Sequence, residues 1–113
     1  MHEVGIARSV IDAAISALPE GATLSGVTVA IGPRSGVVAD SLQFGFEVAS
    51  KGTAAEGAEL EIVEVPLELR CPACETDFEV RDAAIIRCPI CDGPADVVSG
   101  NATLVTAVRY SED

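Results

Sequence analysis

Two pairs of cysteines constrain this chain more than any other feature of its sequence. The pairs are Cys71-Pro-Ala-Cys74 and Cys88-Pro-Ile-Cys91, and thirteen residues separate them. Each pair can form a tight turn that presents two sulfur atoms to one tetrahedral ion. The spacing therefore predicts a zinc site. A rubredoxin-like iron centre uses the same ligands, and two disulfides are a third interpretation that suits a secreted protein.

The predicted zinc site is structural. Four thiolates fill all four tetrahedral positions, so the ion keeps no open position for water or a substrate. The segments beside the cysteines, Phe78-Glu79-Val80 and Ile85-Ile86-Arg87, read as short hairpin arms that cannot hold a core alone. We therefore expect Zn(II) to supply most of the folding energy of this module.

The rest of the chain reads as a small unit of helices and strands. Apolar residues spaced by three and four predict a helix over 4–18, and its stripe consists of Ala7, Val10, Ile11, Ala14, Ile15 and Leu18. Val27, Val29 and Ile31 alternate with Thr28 and Ala30, which predicts a strand. A Gly- and Pro-rich turn follows over 32–36. A second helix is expected over 38–50, with Leu42, Phe46 and Ala49 buried, Phe44 and Val48 at the edge, and Gly52 as its C-terminal cap.

The segment 58–69 has an alternating pattern that changes phase after Ile62. Such a slip indicates a bulge or bend, and Pro66 fits a strand that leaves its sheet. Beyond Gly100, Leu104, Thr106 and Val108 alternate again and predict a strand that returns to the first sheet. We predict an α+β protein: an α/β domain of two helices on a three-stranded sheet (1–68 and 98–113), with a zinc-ribbon-like domain (69–97) inserted.

Composition and charge exclude several classes of function. Seven basic and 18 acidic residues give a formal charge of −11, so nucleic acid and anionic membranes are not expected partners. One histidine cannot assemble a Ser-His-Asp triad with its usual spacing, and there is no phosphate-binding glycine loop, so an enzyme is not expected. An acid at position 3 does not suit a secretory signal, and we expect a cytoplasmic protein.

The only histidine lies next to the first residue. The amine of Met1, backbone nitrogens and the His2 imidazole can close fused rings around one ion, and this nitrogen-rich set favours Ni(II) or Cu(II). Protons compete with the metal near neutral pH, because the amine and the imidazole titrate there. The alternative is that His2 is an exposed terminal residue without a role.

A series of motifs from residue 1 to about 110 resembles the HypA/HybF family of nickel metallochaperones for [NiFe]-hydrogenase maturation. The motifs are Met1-His2-Glu3, Ile31-Gly32-x-x-Ser35-Gly36-Val37, Phe44-x-Phe46-Glu47, Gly52-Thr53-x-x-Glu56-Gly57-Ala58-x-Leu60 and the two cysteine pairs. The resemblance implies a nickel-binding α/β domain and a zinc domain. It assigns Ni(II) to Met1, His2 and Glu3, and Zn(II) to Cys71, Cys74, Cys88 and Cys91.

The resemblance also implies partners. These are a HypB-type GTPase and the hydrogenase large-subunit precursor, and service to urease stays open. A zinc-ribbon adaptor or an iron electron carrier without nickel function is the alternative. Glu3 is open to three roles, as a ligand, a partner of the His2 ring or a contact for another protein. Asp40 is interpreted as a helix-surface or capping residue.

Four residues at three places in the chain depart from the family pattern. Glu75 and Asp92 replace the glycine that commonly follows each cysteine pair, which removes a residue tolerant of positive φ and adds negative charge beside the thiolates. Pro33-Arg34 replaces the more usual acidic and apolar pair in the turn before Ser35. We expect slightly weaker metal binding with every ligand intact.

Overall fold

The computed structural model describes residues 2–81, 86–100 and 102–112. Two helices and six strands follow one another as α1 (His2–Ser16), β1 (Thr23–Ile31), α2 (Ala39–Ser50), β2 (Glu59–Glu64), β3 (Leu67–Cys71), β4 (Thr76–Val80), β5 (Asp96–Ser99) and β6 (Thr103–Ser111). The predicted α+β class is confirmed. Neither described helix is long and apolar enough to cross a membrane.

The chain forms two compact units. The first contains Met1–Ala30, Val37–Val63 and Leu104–Asp113, and the second contains Ile31–Gly36 and Glu64–Thr103. Compactness is a property of the folded chain and does not measure which part folds alone. The domain ranges 1–68, 98–113 and 69–97 therefore stay a prediction about independent folding.

Helix α1 buries the predicted stripe, with Ala7, Val10, Ile11 and Ala14 almost inaccessible to solvent and Ile15 half-buried. The helix spans 2–16 instead of the predicted 4–18. It begins with Glu3 in its first turn, where a carboxylate interacts favourably with the positive end of the helix dipole. It ends before Pro19, which cannot continue a helix.

Helix α2 packs against α1 and buries Leu42 and Phe46, as predicted. Ala49 is only half-buried, so its predicted place in the core is wrong; Ser50 is buried instead, and its hydroxyl donates a hydrogen bond to the Glu47 carbonyl (3.3 Å). The buried stripe follows the i+4 direction from residue 42 to 46 to 50. Gly52 does not cap the helix as predicted: the C-cap residue Lys51 is extended (φ −61°, ψ 131°), and Gly52 with φ 78° is the third residue of a type II turn that the Thr53 N–H closes on the Ser50 carbonyl (3.0 Å).

The first unit contains a three-stranded sheet in the order β2-β1-β6. Val27, Val29 and Ile31 of β1 are buried, as the alternation predicts. Thr28 links the three strands, because its hydroxyl donates to Glu61 (3.0 Å) and accepts a hydrogen bond from Arg109 (2.6 Å).

Strand β6 returns to the first sheet as predicted, but the alternating residues do not share one burial class. Leu104 and Thr106 are exposed, whereas Val105 and Val108 are half-buried. The burial alternation shifts by one residue at Thr106 and Ala107, which are both exposed. A shift of one residue moves side chains to the opposite face of a sheet, so a period-two pattern read from the sequence cannot hold across it.

The second unit contains an antiparallel sheet in the order β4-β3-β5. Leu67, Leu69 and Cys71 of the central strand are buried. The chain leaves β2 at Glu64 and enters β3 at Leu67, so the predicted break at Pro66 is confirmed.

Two features of this sheet differ from the sequence interpretation. Phe78-Glu79-Val80 lies in β4 but pairs with β3, and Arg87 bridges Pro94, so these segments do not form one hairpin with each other. Ile85 lies outside the described residues. Strand β5 was not predicted, because its four residues, from Asp96 to Ser99, are too few to show an alternation of apolar and polar side chains.

Candidate metal centre

Two turns carry the four cysteines. Cys71 is the last residue of β3 and pairs in register with Thr76, so residues 72–75 form the connection that presents Cys74. The second turn is closed by two backbone hydrogen bonds, from the N–H of Cys88 to the Gly93 carbonyl and from the N–H of Asp92 to the Cys88 carbonyl, both 2.9 Å. Cys88 and Cys91 are therefore held by local structure.

The four sulfur atoms form one cluster, in which all ligand atoms lie within 4.8 Å of one another. Sγ of Cys71 is 3.6 Å from Sγ of Cys91, and Sγ of Cys88 is 3.9 Å from Sγ of Cys74. A tetrahedral ion with metal–sulfur bonds of ~2.3 Å requires sulfur–sulfur distances of ~3.8 Å. The cysteines are free thiols, and these distances fit one shared ion.

Backbone N–H groups point at the sulfur atoms. Cys71 Sγ accepts from the N–H of Cys74, Cys88 Sγ from Ile90 and Cys91 Sγ from Gly93, each at 3.4 Å. Such donors stabilise a thiolate. The N–H of Cys91, with that of Ile90, lowers the pKa of Cys88 to about 7, although partial burial opposes the shift.

The thiols also interact with one another. Hydrogen bonds that the protonated Cys74 thiol makes to Cys91 and Cys71 raise its pKa to about 12, because neighbouring sulfurs that share protons cannot all ionise without a cation. A metal ion removes this conflict, since it supplies the positive charge and displaces the protons. The donor set therefore fits a bound divalent ion.

Thr76 borders the cluster, because it is the register partner of Cys71 and the two side chains share a face of the sheet. Its buried hydroxyl oxygen has no hydrogen-bond partner in the part of the chain that the structure describes, so none of the four sulfur atoms accepts from it.

Both residues that replace glycine after the cysteine pairs adopt the left-handed conformation. Glu75 has φ 53° and Asp92 has φ 59°. The turns therefore require positive φ at these positions, and the chain tolerates a strained non-glycine residue at each. The Arg87 guanidinium supports the second turn, because it donates to the Asp92 carbonyl (3.1 Å) and lies 3.6 Å from its carboxylate.

The start of α1 forms the second candidate site. Met1 and the side chain of His2 lie outside the described residues. Glu3 is half-buried in the first turn of α1 and lines an open cavity of about 340 Å³ together with Val4, Asp40, Ser41 and Phe44. Two carboxylate side chains from different helices thus border one space.

The sequence interpretation missed the place of Asp40 in this cavity. Asp40 lies exposed in the first turn of α2, and the N-cap is Val38, without a side-chain capping bond. An acid in a first helical turn is common, so the sequence carried no signal that this residue meets Glu3. Only the packing of α2 against α1 creates the arrangement.

Comparisons with known proteins identify the family of this chain. A family model described as "Hydrogenase/urease nickel incorporation, metallochaperone, hypA" matches residues 1–110. The chain belongs to the HypA family. A hydrogenase maturation factor HypA from Roseiflexus sp. (strain RS-1) is 41% identical over 116 residues, which cover 100% of this chain and 94% of that protein. The hydrogenase maturation factor HypA from Chloroflexus aggregans is 42% identical over 112 residues, which cover 96% of this chain and 98% of that protein.

Solved structures of HypA share the fold. The solution structure of the Ni metallochaperone HypA from Helicobacter pylori matches with a TM-score of 0.72 at 22% identity, over 98% of each chain. A second solution structure of a HypA protein matches with a TM-score of 0.67. The resemblance stated from the motifs is therefore confirmed, and the HypA family supports a nickel metallochaperone with a four-cysteine metal-binding cluster.

Proposed function

We propose that this chain binds Ni(II) at its N-terminus, through Met1, His2 and Glu3, and helps to insert it into the large-subunit precursor of [NiFe]-hydrogenase. The carrying observation is the cavity of about 340 Å³ at the start of α1, which Glu3 lines from α1 and Asp40 lines from α2. Membership of a nickel-incorporation family supports the role. Carriage of an ion needs no catalysis, so we propose no enzymatic activity.

The donor types at this terminus suit Ni(II) as cargo. The terminal amine, the His2 imidazole and backbone nitrogens form a set that favours Ni(II) or Cu(II) over Zn(II) or Mg(II). The Asp40 carboxylate adds an anionic donor from the facing helix. The cavity is open, which favours transfer, because an ion that a partner can reach does not require the carrier to unfold.

A second proposal concerns the cysteine cluster, which we assign to one structural Zn(II) held by Cys71, Cys74, Cys88 and Cys91. The support is the sulfur geometry and the four protein ligands, which leave no open position. When bound, the ion cross-links two turns of the second unit. An iron-only content of protein purified from cells would contradict this assignment and favour the electron-carrier alternative.

We further propose a HypB-type GTPase as the partner that supplies energy, in the cytoplasm, where four free thiols stay reduced. No phosphate-binding loop occurs in the sequence, so nucleotide hydrolysis must come from another protein. Only seven basic residues oppose 18 acidic ones, and neither a nucleic acid nor a membrane is proposed as a partner. The family description names urease beside hydrogenase, so urease is a second possible recipient.

The test is a nickel titration of protein with a native, untagged N-terminus, followed by calorimetry and by metal analysis. His2→Ala should abolish binding of the ion while zinc content and thermal stability stay unchanged. A chain extended by one residue before Met1 should also bind poorly, since the terminal amine becomes an amide. Uptake of one nickel ion by His2→Ala with unaltered affinity would show that the proposed site is wrong.

A further inference from the structure

A glycine lies in the interior of α2, where helices rarely keep one. Gly45 is buried and occupies the seventh of twelve helical positions. Glycine weakens a helix interior, because it loses more conformational freedom on folding than any other residue. A buried glycine at this place therefore calls for a reason in the packing.

The reason is the backbone of α1. A Cβ atom at position 45 would lie 3.2 Å from the carbonyl oxygen of Glu3 and 3.4 Å from both its carbonyl carbon and the Cα of Val4. The distance to the carbonyl oxygen is tighter than an ordinary contact, so the first turn of α1 would have to shift by a few tenths of an ångström, whereas the two 3.4 Å distances lie at the short limit of ordinary contact. All three neighbours are backbone atoms, which cannot rotate away as a side chain can.

The close approach occurs beside the cavity described above. Glu3 and Val4, which contact Gly45, also line the space that Asp40, Ser41 and Phe44 border from α2. The same stretch of α2 therefore supplies a carboxylate to the cavity and a bare backbone to the first turn of α1. How deeply α1 lies against α2 therefore decides how far Glu3 stands from Asp40.

We propose that Gly45 is a positioning residue for nickel binding: its missing side chain lets the first turn of α1 lie close enough to α2 for one ion bound at Glu3 to reach Asp40. This inference rests on the proposed function. Gly45 itself contacts no ion. It acts through the separation between Glu3 and Asp40.

The experiment compares Gly45→Ala with Gly5→Ala. Gly5 lies in α1, and no described atom lies within 4 Å of a Cβ built there, so its substitution changes a helical glycine without a clash. We expect Gly45→Ala to weaken nickel binding at least ~10-fold, as measured by calorimetry, and to shift the d–d absorption of the bound ion. Gly5→Ala should keep the wild-type affinity and spectrum, and both variants should retain their zinc.

A double-variant cycle separates positioning from general destabilisation. In an Asp40→Asn background, Gly45→Ala should lose little further affinity, because the contact that it disturbs is already absent. Additive losses would contradict a role that acts through Asp40. Asp40→Glu tests the separation between Glu3 and residue 40 while Gly45 is kept. This variant keeps the test available if Gly45→Ala does not fold. Its longer side chain should alter nickel affinity, and an unchanged value would overturn the inference.

The outcomes also separate this inference from the proposed function. If His2→Ala loses nickel while Gly45→Ala binds as the wild type does, the N-terminal site stands and the role of Gly45 is wrong. If His2→Ala keeps its nickel, the N-terminal site itself is wrong, whatever Gly45→Ala does.

Discussion

The backbones of Gly32 and Gly100 touch, and a Cβ on Gly32 would overlap the carbonyl group of Gly100. The contact is reinforced on both sides, because the N–H of Arg34 donates to the Gly100 carbonyl and that of Gly32 to the Ala102 carbonyl, each at 3.2 Å. The turn after β1 is thereby joined to the segment between β5 and β6 within the second unit. This contact between residues far apart in sequence depends on the missing side chain of Gly32, whereas a Cβ on Gly100 would meet the Pro66 carbonyl oxygen (2.6 Å) and the Cα of Leu67 (2.7 Å).

Gly32→Ala should therefore destabilise the protein strongly, by about 3 kcal/mol, because the added methyl group meets backbone that has no room to move. Gly36→Ala is the matched control in the same turn. Gly36 has φ 74° and no described atom within 4 Å of a Cβ, so its substitution should cost about 1 kcal/mol from conformation alone. Urea unfolding measures both values, and equal losses would contradict the contact.

Loss of one cysteine should loosen one unit and leave the structure of the other unchanged. Cys74→Ala removes a ligand, so we expect the zinc to be released and residues 69–97 to loosen, while α1, α2 and the first sheet keep their structure. Zinc analysis and amide NMR spectra, with the signals divided between the two units, measure the effect. Loss of all secondary structure would show that the first unit cannot fold alone, and full zinc retention would contradict the cluster.

Glu75→Gly should stabilise the zinc-loaded protein by about 0.5–1 kcal/mol. Relief of the left-handed conformation of Glu75 outweighs the greater freedom that glycine has in the unfolded chain. Asp92→Gly should gain less, because aspartate tolerates this conformation better and the substitution removes the exposed ion pair with Arg87. Denaturant unfolding ranks the two variants, and a destabilised Glu75→Gly would refute strain at that turn.

Zinc uptake should release protons and weaken as the pH falls. The pKa of Cys74 is raised to about 12, so at pH 7 this thiol is protonated before the ion binds. The pKa of Cys91 is also raised: the N–H of Gly93 is the largest single influence and lowers the pKa, but the hydrogen bonds with Cys71 and Cys88 and the burial of the thiol together outweigh it. We expect release of at least about two protons per ion near pH 7, measured with an indicator dye in weak buffer. Uptake without proton release would contradict this account.

Association with the proposed GTPase should depend on salt. A chain of charge −11 is attracted to a basic surface, and screening slows such encounters. The on-rate, measured by stopped-flow mixing, should fall as the sodium chloride concentration rises from about 50 to 500 mM. Over this range the screening length shortens about threefold. A salt-independent on-rate would exclude electrostatic steering but leave the partnership open.

Local pattern determined much of this protein. The two Cys-x-x-Cys turns, the apolar stripe of α1, the alternation of β1 and the break at Pro66 all follow from residues close together in sequence, and the structure confirms them. The motifs also indicated the family, because several short patterns in a fixed order are specific where each alone is not. The assignment of nickel to Met1 and His2 stays a prediction.

Tertiary structure alone decided what depends on two distant segments meeting. No local pattern indicates that Asp40 shares a cavity with Glu3, that Gly45 lies against the backbone of α1, or that Gly32 touches Gly100. The alternation of Leu104, Thr106 and Val108 also does not report burial, because only Val108 of the three is half-buried in β6. Periodicity reports which face of an element is apolar. How closely two elements approach depends on the backbone and side-chain volumes of both, and a single segment does not contain that information.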